Sequence, residues 1–192
     1  MRFRRRPRGP APRQLQPRVP RAWLRPETEI PGIVPVGSLV FERSADAAMA
    51  ITGISAYTYG FEFALTRIIR PGAPGWDGGV MPAAPEPWRG VDRAAEISLQ
   101  LSDGTIVTGD TPHDGSEPAG PILRSDGGGG TANRQVLRWW AWPLPPPGPL
   151  EFICHWPTFG IAETRAGIDA QLILDAARQS VRLWPAGAES TD

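Results

Sequence analysis

The sequence predicts a mainly β domain, an antiparallel β-sandwich of jelly-roll or immunoglobulin-like layout with one C-terminal α-helix. Three observations predict it. Short runs that alternate apolar and polar residues recur along the chain. Segments rich in Gly and Pro separate them, drawing on 22 Gly and 23 Pro among 192 residues. Helical spacing appears once, near the C-terminus. No apolar run approaches the ~18–20 residues of a membrane-spanning helix.

Ordered sequence is expected from about Val34. Val36 to Arg43 reads as a strand carrying Val36, Leu39 and Phe41, and Ala45-Asp46 as a turn. Ala48 to Ala56 is a second strand, with Met49 and Ile51 on one face, Ile54 on the other and Gly53 as a candidate bulge. Tyr59-Gly60 turns the chain into Phe61–Ile69, where Phe61, Phe63 and Leu65 alternate with Glu62, Ala64 and Thr66. Residues 71–92 hold too much Pro and Gly for a helix or a central strand and read as a long loop bearing Trp76 and Trp88. Ile97, Leu99 and Leu101 alternate with Ser98 and Gln100, and Asp103-Gly104 then predicts a two-residue hairpin turn into Thr105–Thr108.

Residues 109–121 read as loop, Ile122-Leu123 as a short strand, and Gly127–Gly130 as a mobile loop. Gln135–Trp142 is a strand with Leu137 and Trp139 on one face and Val136, Trp140 and Trp142 on the other. Pro143–Pro149 forms a rigid connector. Leu150–Trp156 points Leu150, Phe152, Cys154 and Trp156 one way and Glu151, Ile153 and His155 the other. Ile173, Ala177, Val181 and Trp184 then fall at helical spacing, with Asp169 as N-cap and Pro185 as the stop.

The formal charge is zero, but it sums two unlike parts. Residues 1–25 carry nine Arg and no acid; residues 26–192 carry 11 Arg against 20 acids, a charge of −9. There is no Lys. Residues 1–33 are expected to be a disordered basic arm, because the interleaved prolines block helix. It is either a solvated tail or upstream GC-rich DNA translated from a misassigned start. It lacks the apolar stretch of a signal peptide. Residues 34–185 make the domain and 186–192 a disordered tail. A basic arm on an acidic body argues against a nucleic-acid-binding domain, which would be basic on its folded surface. Cys154 is the single cysteine and fits a reducing cytoplasm.

The stretch Trp139–Asp169 contains W-x-W-P-L-P-P-P-G-P-L, a strand ending in Trp-Pro, then G-I-x-E-[ST]-R. With Tyr57–Phe63 it resembles a family of small uncharacterised proteins of GC-rich actinobacteria. The resemblance spans residues 34–185. It implies one domain and carries no catalytic or binding residue across.

Chemistry must therefore be sought in the residues themselves. Gly127–Gly130 lacks the following helix and the Lys of a phosphate cradle. Asp110, His113 and Asp114 match no standard metal spacing. Cys154 and His155 diverge as neighbours on a strand, so they make no nucleophilic pair. Trp139, Trp140, Trp142 and Trp156 lie on two neighbouring strands, and large aromatics there fill a core, build a partner interface or stack a ligand. Glu163 and Arg165 sit just before the helix as an ion pair or surface contact. The residues singled out for ligand or partner contact are Trp140, Trp142, His155, Glu163 and Arg165. The expected role is a cytoplasmic binding or interaction module whose protein partner or small-molecule ligand the sequence does not identify, needing no cofactor or metal and no membrane. The alternatives are a small hydrolase using His155 or His113 with nearby carboxylates, and non-specific nucleic-acid contact through the arm.

Overall fold

The computed structural model describes residues 21–74, 96–109, 116–131 and 133–184. Alternation produces strands wherever the sequence shows it. The strands in chain order are β1 (Glu29–Ile30), β2 (Gly32–Ile33), β3 (Leu39–Arg43), β4 (Ala47–Ala56), β5 (Phe61–Ile69), β6 (Glu96–Gln100) and β7 (Ile106–Thr108). They continue with β8 (Ile122–Gly130), β9 (Arg134–Trp142), β10 (Pro149–Trp156) and β11 (Ile161–Asp169). A 3-10 turn at Pro157–Phe159 precedes β11; α1 (Gln171–Ala177) and β12 (Val181–Arg182) end the described chain.

Among the described residues, every pairing between these strands is antiparallel. The larger sheet runs β2-β4-β5-β9-β8, with β3 also on β4; the smaller runs β11-β10-β6-β7. Their inner faces share one core that includes Ile51, Phe63, Leu65, Leu99, Phe152 and Trp156. The rings of Phe63 and Phe152 meet edge to face across the layers at 5.0 Å. β1 and β12 form a separate two-stranded ribbon. The mainly β, antiparallel architecture with a single helix is what the alternation predicts. Among the described residues, no helix is long and apolar enough to cross a membrane.

Met49, Ile51 and Ile54 are all buried, although the spacing puts Ile54 on the opposite face. The β4–β5 register shifts between Thr52 and Ser55, and Gly53 takes φ +60° there. That one-residue irregularity returns Ile54 to the core side. The β6–β7 hairpin forms where Asp103-Gly104 predicts it, but over three residues. Leu101 N–H donates to Thr105 O, Gly104 N–H donates to Leu101 O, and Gly104 sits at φ +87°. The loop is thus Ser102-Asp103-Gly104, a turn followed by one left-handed glycine.

Four expectations are corrected. The ordered body starts before Val34: β2 pairs Gly32 with Ala56, and β1 pairs Glu29 with Arg182. Strands of two residues have no periodicity to read, and the Arg/Pro composition concealed them. Gly128–Gly130 is paired strand rather than loop, set opposite Leu137, Val136 and Gln135. Glu163 and Arg165 lie within β11, which pairs with β10 over most of its length.

The helix is also shorter than its stripe suggests. Ile173, Ala176 and Ala177 are buried, but Val181 and Trp184 are 54% and 59% exposed. Ser180 Oγ–H donates to Ala177 O at the helix end, and Leu183 N–H donates to Thr28 O. Pairing with β1 draws β-branched Val181 out of the helix. The N-cap of α1 is Ala170 rather than Asp169, whose carboxylate accepts Gln171 N–H at 2.9 Å from one residue ahead of it. Trp76, Trp88, Asp110, His113, Asp114, Pro185 and the tail 186–192 lie outside the described residues.

Candidate functional site

The five residues singled out from the sequence do not form one site. Three gather on the outer face of the smaller sheet. Register places Glu151, Ile153 and His155 of β10 beside Gln100, Ser98 and Glu96 of β6, and Ile153 beside Arg165 of β11. Arg165 donates to Gln100 Oε1 at 2.6 Å, Glu151 Oε2 at 2.9 Å and Glu163 Oε1 at 3.1 Å. The bonds to Glu151 and then Glu163 raise the Arg165 pKa. The guanidinium therefore clasps three strands, its fork occupied by this chain's own acceptors. His155 and Glu163 line a shallow groove of about 440 Å³ with Pro157, Gly160, Ile161 and Ala162. Cys154 faces the core on the other side of β10, fully buried, and burial drives its thiol pKa up strongly.

The two tryptophans lie on the outer face of the larger sheet. Trp140 is completely buried there, because the N-terminal segment crosses over it. Its indole N–H donates to Trp23 O at 2.9 Å, and Tyr57 meets its ring edge-on at 5.6 Å. Trp140 is thus part of the packing and not a platform. Trp142 is half-buried two residues further along. Arg25 fastens the crossing segment: its Nε stands 2.8 Å from Asp126 Oδ2 and its Nη1 3.3 Å from Glu62 Oε2. Tyr57 O–H donates to Glu62 Oε1 at 3.1 Å, and burial raises the Tyr57 pKa.

The rest of that face carries a pattern the sequence reading missed. Arg25, Arg70, Arg165, Arg178 and Arg182 each lie within ion-pair distance of a carboxylate. Arg67 is buried, donating to Gln135 and standing over the Trp156 ring. Arg21 lies 5.8 Å from the Trp23 ring. Arg43, Arg124, Arg134 and Arg138 have no ion pair to a carboxylate among the described residues.

All four lie on one face. Cross-strand partners share a face, and the register links Arg43 to Ala48, Ala48 to Ile68, and Ile68 to Arg134. Arg138 stands opposite Ala64, and Arg124 opposite Trp140. The inward set on β5 is Phe61, Phe63, Leu65 and Ile69, so Ala64 and Ile68 point outward. A groove of about 640 Å³ runs along this face between Arg134 and Arg138 on one side and Gly128–Gly130 on the other. Asp126 and Glu62 are the carboxylates placed there by groove and register, and Arg25 engages both. One local signal was available in the sequence. Arg134, Val136 and Arg138 alternate, which on a strand places both arginines on one side.

Comparisons with protein-family models, with curated proteins and with solved structures found no match to this chain.

Proposed function

We propose that the protein is a binding module that presents the outer face of its larger sheet to an anionic partner. One observation carries this reading: Arg43, Arg124, Arg134 and Arg138, none within ion-pair distance of a described carboxylate, share a single face. The body from residue 21 onward is acidic, with 13 Arg against 20 acids. Elsewhere on the described surface, that excess of carboxylate captures arginines into ion pairs. Leaving four unneutralised on one sheet raises the local potential and attracts negative charge. The small residues between them, Ala48, Ala64 and Val136, keep the guanidiniums standing above a low floor. The smaller sheet is the weaker candidate, since Arg165 is already satisfied by Gln100, Glu151 and Glu163. The single, buried Cys154 needs no oxidising compartment, which supports a cytoplasmic location.

The test is retention on immobilised inorganic polyphosphate, a generic linear polyanion. Arg134→Gln/Arg138→Gln should elute at clearly lower salt than the unaltered chain. Arg178→Gln, which removes a helix-surface arginine paired with Asp175, should elute unchanged. Equal elution of all three would refute the reading.

A further inference from the structure

We infer that the anionic partner is an acidic, extended segment of another protein, which adds as a strand to the free edge of β8 and sets its carboxylates against Arg134 and Arg138. This inference rests on the anionic-partner reading above and names the partner. The larger sheet ends at β8. Among the described residues, one bridge reaches the outer side of β8, from Gly109 to Leu123. Residues 127–130, further along the strand, are exposed. An uncovered strand edge offers its N–H and C=O groups to another chain.

The hairpin register identifies the groups that face outward. Thr131 N–H donates to Arg134 O at 2.7 Å, so this pair is of the hydrogen-bonded kind. Hydrogen-bonded and non-hydrogen-bonded pairs alternate along an antiparallel ladder. Gly129 opposite Val136 is then hydrogen-bonded, while Gly128 opposite Leu137 and Gly130 opposite Gln135 are not. Gly128 and Gly130 therefore turn their N–H and C=O to the open edge. The same geometry explains why both are glycine: a Cβ on Gly128 would strike Val136 O, and one on Gly130 would strike Arg134 O. Among the described residues, no backbone bond outside the ladder reaches either. Proline and charged side chains commonly guard an edge, and residues 127–130 carry neither.

The arginines select the partner. An added strand lies one spacing beyond β8 and two beyond β9, about 10 Å from the latter. Cross-strand neighbours share a face, so the residue placed beside Gly129 lies on the face of Val136, and hence of Arg134 and Arg138. Gly129 interposes no side chain, and both arginines line the same groove as the glycine edge. An extended arginine and a glutamate together bridge the two spacings. Neither guanidinium has an ion pair to a described carboxylate, whereas Asp126, the carboxylate in the groove, is held by Arg25. Acids at alternate positions of the incoming strand therefore meet the arginines while its backbone pairs with Gly128 and Gly130. In strand addition, main-chain bonds supply affinity and alternate side chains supply specificity. A compact anion would use the arginines and leave the edge unused. A second copy of this chain is disfavoured as the occupant, because pairing β8 with β8 brings two sets of these arginines side by side.

The experiment titrates the full chain into a fluorescein-labelled peptide of alternating Glu and Thr, about eight residues long, and follows its anisotropy. Two further peptides carry N-methyl groups, one on every Glu and the other on every Thr. Both keep the charge, but only one keeps the N–H groups that face β8. That one should bind nearly as the parent does, and the other should not bind measurably. Arg134→Gln/Arg138→Gln should weaken binding of the parent about tenfold, the worth of two partly exposed ion pairs. Gly129→Glu should weaken it at least as much. A Cβ there meets nothing within 4 Å, so the strand accepts the change, and the new carboxylate engages the arginines from within the chain. Arg178→Gln should bind like the unaltered chain. Equal binding of the two N-methylated peptides, or binding insensitive to Arg134→Gln/Arg138→Gln and to Gly129→Glu, overturns the inference. A stable dimer that excludes the peptide overturns it too. Retention on polyphosphate that depends on Arg134 and Arg138, without binding of the peptide, overturns it while leaving the anionic-partner reading standing. Binding to neither probe overturns both.

Discussion

Replacing Glu29 tests whether the N-terminal segment belongs to the folded body. The Glu29 side chain is only 3% exposed although it sits in a stretch whose composition reads as an arm. Its Oε2 accepts the Thr58 N–H at 3.1 Å and the Thr58 hydroxyl at 2.9 Å, and its Oε1 faces the Arg182 guanidinium at 3.4 Å. It thereby joins β1, the turn after β4, and β12. Hydrogen bonds to a charged acceptor contribute about 1.5–3 kcal/mol each, and an orphaned, half-buried amide costs part of its desolvation again. The contact to exposed Arg182 is screened and adds little. Allowing for non-additivity, Glu29→Ala should destabilise the protein by about 2–4 kcal/mol. For a chain of this size that lowers Tm by roughly 5–15 °C. Urea denaturation followed by tryptophan fluorescence gives the number, with m expected to stay constant. Glu27→Ala, at an exposed position two residues earlier, is the control and should change stability by less than about 0.5 kcal/mol. If Glu29→Ala behaves like the control, the segment does not pack and the placement of β1 is wrong.

Two further outcomes follow from burial. Ile173 is fully buried under the short helix, so Ile173→Ala should cost about 2–5 kcal/mol, whereas exposed Trp184→Ala should be nearly neutral; paired chemical denaturations decide this, and a large loss at Trp184 would restore the longer helix. Burial raises the folded Cys154 pKa above its ordinary value of 9.0, so the unfolded chain releases that proton first. Its contribution to stability is therefore full below about pH 9 and declines as the pH climbs above it. At pH 8 an aromatic disulfide reagent should label Cys154 only as fast as the protein opens; rapid labelling of the native state would contradict its position in the core.

The alternating runs settled the class of this fold by themselves. Phe61, Phe63 and Leu65, or Leu150, Phe152, Cys154 and Trp156, face the core because strand geometry sends every second side chain the same way. The position of the β6–β7 turn was equally legible, since Asp103-Gly104 is local turn chemistry. Where a local rule met a tertiary one, the tertiary rule won. The stripe ending in Trp184 is helical in spacing, yet Val181 and Arg182 pair with β1, a partner some 150 residues earlier in the chain. Trp140 looked available on an outer strand face until the segment around Trp23 covered it.

The charges show the same division most clearly. A count along the sequence gives an acidic body behind a basic arm and argues against a basic folded surface. The count is right, but it does not say which arginines keep their charge unopposed. Arg165 meets Gln100 and Glu151, and Arg25 meets Asp126, across 65, 14 and 101 positions of sequence. Such partners are chosen by strand order and register. Only after the sheets form do Arg43, Arg124, Arg134 and Arg138 emerge on one face without an ion pair to a described carboxylate. Periodicity is a local property and can be read from a string of residues. Electrostatic potential falls with distance through space, so the sequence held the charges and the tertiary fold decided their field.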